Sequence, residues 1–448
     1  MTKLRAFWHD VNASYWFYPA VFSLIAVALA LWTIWLDRNG FANWLDNIGA
    51  LVPARPDGAS NMLTVIAGSM IGVASTVFSI TIAAVAYASG NYGPRLLTNF
   101  MEDRGNQFSL ATFIATFVYA LTVLRSVRAA DETTTIFGDP SASGPPGFVP
   151  QLSLLVAYLL VGISVAVLVY FLNHIPASIR INTVLKGIGQ RLVNMVKSRY
   201  PEAHRGETVH ERPEGRRIQA ESTGYIQLID FDELCGIAEK EKGRLSMHVR
   251  TGDFVHPDMV LARWQADDDD GDAPPADKVR DCFALGGRRT PNQDIDFLLD
   301  ELVEIALRAL SPGINDPFTA ITAMDWLGAA TAELGYRDLD FIRARMGDPK
   351  DEPRVLPLDD GFAHFLRRGF GAVRGSAATS RIASESFLEA LTDSVTRISD
   401  PTRRAMLRRE AELLLEQARL HLEGPELAML EERYDTFVKR YEAPAISH

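Results

Sequence analysis

The rhythm of apolar and polar positions divides the chain. Four uninterrupted apolar segments, Phe17–Leu36, Met62–Ala88, Phe108–Leu124 and Leu152–Leu172, fill its first part and contain no Asp, Glu, Lys or Arg. A hydrocarbon layer about 30 Å thick needs about 20 apolar residues in a helix rising about 1.5 Å each, so every segment can span it, the third only just. In lipid each segment must satisfy its own backbone N–H and C=O groups, which forces it into a helix. The pattern predicts a multi-pass α-helical membrane protein with four transmembrane helices. The first apolar stretch is longer than the roughly 7–15 residues of a signal-peptide core and has no clear small-residue cleavage site after it, so it reads as a retained span.

Beyond the fourth segment the period changes. Ile181, Val184, Leu185, Ile188, Leu192 and Met195 recur at helical spacing, with Lys186, Arg191 and Lys197 between them, which predicts a basic amphipathic helix over Ala177–Arg199. It fits equally along an anionic leaflet or packed on the rest of the C-terminal half. Gly224–Ile229 alternates as a strand. Asp230 then opens a helix to Lys242 in the manner of a capping box, and strands follow at Arg244–Val249 and Val260–Trp264. From Asp294 the pattern is helical again, with Ile295, Leu298, Leu299, Leu302, Ile305, Ala306 and Ala309 on one face. Asp316-Pro317 and Asp400-Pro401 each supply an N-cap and a first-turn proline, and Gly424-Pro425 resets the chain for a last helix.

The expected organisation is a four-helix transmembrane domain over 1–175, a juxtamembrane helix over 176–204 and a small α+β domain over 217–266. An acidic linker with a strand follows over 267–293, then a bundle of five to six helices over 294–442. Thr251–Leu261 resembles the turn-and-strand element of small barrel-sandwich domains of the lipoyl and membrane-fusion-adaptor type, beside the plainer reading of a generic small sheet. Those domains place a second glycine where this chain has Asp258, and no lysine stands at a matching hairpin tip for lipoyl or biotinyl attachment. The Arg125–Pro150 stretch, with Pro145, Pro146 and Pro150, reads as a loop. The short link from Gly93 to Gln107 makes the second and third spans an antiparallel hairpin.

Charge orients the spans. Lys3, Arg5, Arg95, Arg104, Arg180, Lys186 and Arg191 flank one side, and Arg38, Arg55, Arg125 and Arg128 the other. Positive loops stay inside, so both termini and the C-terminal half are expected in the cytoplasm of a bacterium, with the chain in its inner membrane. The net charge of −11 argues against a nucleic-acid surface. The two cysteines, Cys235 and Cys282, have no metal-like or redox-like spacing, and no structural disulfide is expected in a reducing compartment. Asp267–Asp272 lacks the alternating ligands of a calcium loop, so it reads as a solvated linker.

Candidate chemistry is sparse. No phosphate-binding loop, nucleophile elbow or zinc motif occurs, so no catalytic residue, cofactor or metal site is assigned and the chain is not expected to be an enzyme. The second span carries a stripe of small residues, Gly68, Gly72, Thr76, Ser79, Ala83 and Ala86, with Ser75 beside it. Such a stripe lets helices pack closely, and its hydroxyls can also line a narrow path around a symmetry axis. His174, at the end of the fourth span, reads either as a pH-sensitive group or as an interfacial histidine bonded to a nearby carbonyl. The turn with Ser311, Pro312, Asn315 and Asp316 reads as a helix–helix corner or a ligand loop. No carboxylate or histidine lies at mid-depth in a span, which disfavours an ion-coupled pump.

The stretch Arg308-Ala-Leu-Ser-Pro-Gly-Ile-Asn-Asp-Pro-Phe-Thr-Ala320 adds a resemblance. With Ser75-Thr-Val-Phe-Ser-Ile80, Gly93-Pro-Arg-Leu-Leu97 and Tyr170-Phe-Leu-Asn-His-Ile175, it resembles the bacterial predicted membrane proteins grouped as domain of unknown function 2254. Where that pattern has a second histidine, this chain carries Asn173. The resemblance implies membership and topology but no activity. Two functions stay open: a homo-oligomeric passive pore gated or assembled by the C-terminal half, or a membrane anchor for a domain that senses a ligand or binds a partner.

Overall fold

The computed structural model describes residues 14–41, 55–93, 103–128, 148–202, 214–267, 275–339, 354–358 and 360–444. Lys3, Arg5 and Arg95 of the charge count, residues 94–102 of the expected hairpin link, most of the Arg125–Pro150 loop and Asp268–Asp272 lie outside them. Two compact units divide at Arg180 and Ile181.

The first unit holds α1 (Phe17–Arg38), α2 (Pro56–Tyr92), α3 (Arg104–Leu124) and α4 (Gln151–Ser178), all long and apolar enough to cross a membrane. At 37 residues, α2 is about 55 Å long, well beyond the hydrocarbon thickness. The other three helices pack around α3. Leu110, Phe113, Tyr119 and Val123 of α3 are buried, and so are Asn106, Gln107, Ser109 and Thr116. Thr116 and Ser164 hydroxyls meet at 3.0 Å between α3 and α4. Lipid tails are as apolar as leucine, so close packing and such hydrogen bonds hold the helices together. The outer faces present Leu24, Trp32, Val65, Leu159, Val169 and Leu172.

Asp37, at the end of α1, supplies a contact between the first and last spans. Its carboxylate accepts from Leu152 N at 2.9 Å, Ser153 N at 3.0 Å and Ser153 Oγ at 2.7 Å, capping the otherwise orphaned start of α4. Tyr119 extends the contact by donating to Ser153 O at 3.1 Å and meeting Thr33 Oγ1 at 3.0 Å.

The second unit opens with α5 (Ile181–Arg199), which buries Leu185, Ile188, Gly189, Leu192 and Val196 against the helical bundle. Of its two expected placements, packing on the C-terminal half is the one observed, because that face is filled by protein. Two small sheets follow. Strands β1 (Arg216–Gln219), β5 (Val260–Ala266), β3 (Gly243–Met247) and β7 (Val355–Leu356) form one, and β4 (Phe254–Val255), β2 (Gly224–Ile229) and β6 (Phe283–Gly286) the other. Helix α6 (Phe231–Lys240) is capped by Asp230, which accepts from Glu233 N at 3.2 Å, and α7 (Ala276–Asp281) precedes β6. Ile226, Leu245, Met247, Val255, Leu261, Trp264 and Phe283 share one core between the sheets. Burying each such side chain contributes roughly 1.5–3 kcal/mol. The module is not confined to 217–266, since β6 and β7 join it from downstream.

Asp258 occupies the turn position where the resembling domains carry glycine, and its φ of +73° is the left-handed conformation that glycine adopts most readily. Asp258→Gly is therefore expected to leave stability unchanged or raise it by up to about 1 kcal/mol, whereas Asp258→Val loses about 1–2 kcal/mol. Thermal unfolding midpoints of the two variants check this ordering.

Both cysteines are buried thiols. Burial, with Glu239 and Asp232 nearby, pushes Cys235 up to about 11. Burial, with Glu233 and Asp230, pushes Cys282 up to about 12, and its thiol also donates to Lys278 O at 3.3 Å. An ordinary thiol is about a tenth thiolate at pH 7.5, and one titrating near 11 about a thousandth or less. Maleimide labelling of the native protein is expected to be at least about 100-fold slower than after denaturation, followed by mass spectrometry.

The bundle comprises α8 (Ile295–Ala309), α9 (Pro317–Tyr336), the broken helix α10 (Phe362–Leu366) and α11 (Ala372–Ala377), then α12 (Arg381–Arg397), α13 (Pro401–Ala418) and α14 (Gly424–Glu442). A π-helical turn at Arg367–Gly371 joins α10 to α11. Aspartates cap three of these helices, with Asp294, Asp316 and Asp400 each accepting a backbone N–H of the first turn.

Candidate functional site

Helix α2 packs through one face only. Leu63, Ala67, Met70, Ala74, Val77 and Thr81 are buried, and at about 100° per residue they share one side. Gly68, Gly72, Ser75, Thr76, Ser79, Ala83 and Ala86 are all exposed on the opposite side. A Cβ added at Gly68 or Gly72 would meet nothing within 4 Å. The stripe faces outward, and among the described residues no other helix of the chain packs on it. Its hydroxyls bond back to the helix: Thr76 Oγ1 to Gly72 O at 3.0 Å and Ser79 Oγ to Ser75 O at 2.9 Å. Their polarity is thus already satisfied at the surface.

His174 does not bond to a carbonyl. Its Nε2 lies 2.8 Å from Asp103 Oδ2, and its Nδ1 lies 3.2 Å from the Tyr170 hydroxyl one turn earlier. Asp103 also caps α3 through Gly105 N at 2.8 Å. A Cβ at position 105 would stand 2.7 Å from both His174 Nε2 and the Tyr170 hydroxyl, so only glycine lets the histidine approach. Two partners joined across 71 residues leave no short-range sequence signal, so the aspartate could not be read from the chain alone.

A second charged group sits in the C-terminal unit. Arg289 donates to Asp294 Oδ2 at 2.9 Å and Asp300 Oδ2 at 2.7 Å, and Arg368 grips Asp300 at 2.7 and 2.8 Å. His364 Nε2 lies 2.9 and 3.1 Å from the two oxygens of Asp296, and Arg250 contacts Asp360. The widened π turn keeps Phe370 buried while Arg368 reaches Asp300. Burial alone would raise the Asp296 carboxyl, but the His364 hydrogen bond and the Arg368 and Arg250 guanidiniums hold it below the usual range. Burial outweighs Arg289 at Asp294 and leaves that carboxyl raised.

Beside this group lies a shallow crevice of about 10 Å³, room for no more than a water molecule, bordered by Arg199, Tyr200, Arg250, Thr251, Asp296 and Asp360. At its rim Gly252 has φ +95°, and a Cβ there would fall 2.1 Å from Asp294 Oδ2, so the backbone turn and the carboxylate need that glycine. The cluster largely neutralises itself, and it ties the sheet module to the bundle. Gln293 adds to the tie by bonding Ile229 N at 3.0 Å and Ile229 O at 3.2 Å. Its sequence signals were the spacing of Asp296 with Asp300 and of His364 with Arg368, each one helical turn apart. No group of three or more His, Cys, Asp or Glu side chains that could hold a metal ion occurs among the described residues.

The Ser311–Asp316 turn is closed by its own bonds. Ser311 Oγ donates to Arg308 O at 2.6 Å, Asn315 N to Ser311 O at 2.9 Å and Asp316 N to Ala309 O at 2.8 Å. Asp316 accepts from Thr319 N at 3.2 Å and Thr319 Oγ1 at 2.6 Å, while Asn315 takes φ +48°. Pro312, Gly313, Ile314 and Asn315 are exposed.

Comparison with known proteins now adds the family. The model of predicted membrane proteins called DUF2254 matches residues 12–393. The chain belongs to that family. DUF2254 relatives include uncharacterized protein Rv1290c of Mycobacterium tuberculosis and uncharacterized protein Mb1321c of Mycobacterium bovis. Each is 30% identical over 374 residues, covering 81% of this chain and 68% of the relative. No solved structure matches.

Proposed function

We propose that this DUF2254 protein works as a homo-oligomer in which copies of α2 meet along their small-residue face and enclose a passive pore for ions or small solutes. The C-terminal unit would then gate or assemble the pore from the cytoplasmic side of a bacterial inner membrane. One observation carries the reading: seven small residues of α2 stand exposed on the face opposite its packing side. Small residues favour close helix contacts in lipid, and the described residues of this chain offer α2 no partner there. The lack of a carboxylate at mid-depth supports passive flow over coupled pumping.

A second reading, an anchored sensor without transport, draws on the charged cluster around Arg250, Asp296 and Asp360 in the C-terminal unit. Solute and ion release from vesicles holding the purified protein, beside empty vesicles, separates the two. Release that depends on the protein supports the pore, and tightness under every ion and osmotic load supports the sensor.

A further inference from the structure

Contacts inside the C-terminal unit fix which helix ends lie together. Arg337, just past α9, donates to Lys197 O and Tyr200 O at the end of α5, and the Trp326 ring lies against Gly189. Helix α9 therefore runs parallel to α5. Phe318 precedes Trp326 by the same eight residues by which Ile181 precedes Gly189, so Phe318 stands level with Ile181. Arg199 reaches Gln293 O at 3.1 Å, so α8 starts at the far end and delivers the 311–316 turn to the Ile181 end. Gly328 against Ala390 and Gly335 against Ile398 make α12 parallel to α9, which puts Ile382 at the same end. Arg403 bonds Leu334 O and Arg337 O, so α13 begins at the far end and finishes, before Leu420, at the near one. Helix α14 starts there and returns to Arg404 at Tyr441.

That end holds nearly all the exposed large apolar side chains of the unit. Ile314 is 47% exposed, Phe318 69%, Ile382 37% and Leu420 79%, with Met429 a turn further along. Among the described residues of the unit only Phe254, on the sheet module, is comparable. Such clustering marks a contact surface rather than scatter. Ile181 follows the last residue of α4, Ser178, by three residues, which reach at most about 10 Å. The hydrogen-bonded turn holds Ile314 and Phe318 in place before any contact is made, so docking them orders nothing new.

We propose that this end of the C-terminal unit rests on the bilayer, with Ile314 and Phe318 seated in the interfacial region of the lipid. Charges of both signs surround the patch, among them Arg308, Arg381, Arg419, Glu423 and Glu426, so the contact is apolar in origin and neutral lipid suffices. The proposal is independent of whether the protein conducts.

The test uses the full chain in phosphatidylcholine vesicles. In a Cys235→Ala, Cys282→Ala background, Ile314→Cys, Phe318→Cys and, at the far end, Ser399→Cys each receive an environment-sensitive fluorophore. Spin-labelled lipid is expected to quench the 314 and 318 probes several-fold more than the 399 probe, and aqueous iodide the reverse. Iodide quenching at 314 and 318 equal to that at 399 would place the turn in water and overturn the proposal. Shielding from both quenchers would mean that protein covers the turn, either a second copy or the chain's own helices, and would equally overturn it. Wild-type protein in vesicles of diazirine-tagged phosphatidylcholine gives a check without substitutions. Lipid adducts are expected on the peptide holding 311–318, and labelling confined to the four spans would contradict the proposal.

Discussion

Replacing Arg337 by methionine is expected to lower the stability of the C-terminal unit by about 3–5 kcal/mol, the range for removing one partner of a buried ion pair. Arg337 is 5% exposed and Glu333 4%, and its Nε donates to Glu333 Oε1 at 2.6 Å. Its Nη1 also donates to Lys197 O at 3.2 Å and Tyr200 O at 2.5 Å, two carbonyls at the end of α5. Methionine fills similar volume but strands the carboxylate, whose remaining basic neighbours, Lys197 at 4.0 Å and Arg397 at 3.9 Å, are too distant for good hydrogen bonds. Adding Glu333→Gln to the variant is expected to recover part of the loss, because a neutral amide is easier to bury than an unpaired charge. Arg337→Lys is not expected to rescue, since one ammonium cannot reach the carboxylate and both carbonyls in the geometry of a planar fork. Chemical unfolding of the detergent-solubilised protein measures all three. A change below about 1 kcal/mol for Arg337→Met would show that α5 is held elsewhere.

Leucine at position 72 is expected to abolish flux and assembly while leaving the single chain folded. The added side chain meets open space within the protomer, as no atom lies within 4 Å of a Cβ there. In an oligomer built on the α2 stripe it would hold neighbouring helices apart. Met70→Ala, two residues away on the buried face, is the contrasting variant. It should lower stability by about 2 kcal/mol through lost packing and keep the oligomer. Sedimentation of detergent-solubilised protein together with vesicle flux reads both. An unchanged oligomer and unchanged flux for Gly72→Leu would remove the stripe from any functional account, and Ser79→Leu would be expected to follow it.

The four membrane helices were legible because an apolar run of about 20 residues, free of charge and bounded by it, matches the thickness of a bilayer and little else. Capping was equally readable at Asp230, Asp316 and Asp400, where the signal lies within four residues of its effect. Long-range pairings were not. Asp37 with Ser153, Asp103 with His174 and Arg250 with Asp360 join residues that no local pattern connects. The parallel pairing of β7 with β3 escaped for the same reason, because two residues, Val355 and Leu356, make too short a strand to show a period. The stripe on α2 was visible as a period, but sequence alone cannot say which side of a helix its own chain will cover. The exposure of Ile314 and Phe318 was hidden in the same way, since apolar residues beside a turn ordinarily pack inward.

Asp37 carries a consequence for the order in which the chain is made. The carboxylate emerges with the first span, but the N–H groups it binds belong to residues 115 and 116 positions later. Throughout synthesis of the second and third spans, the first enters the bilayer with an acid whose intended partners do not yet exist. The four-helix unit is therefore finished only when the last span arrives. A ribosome stalled before Ser153 would leave three helices whose Asp37 carboxylate still lacks the N–H groups that hold it in the complete unit.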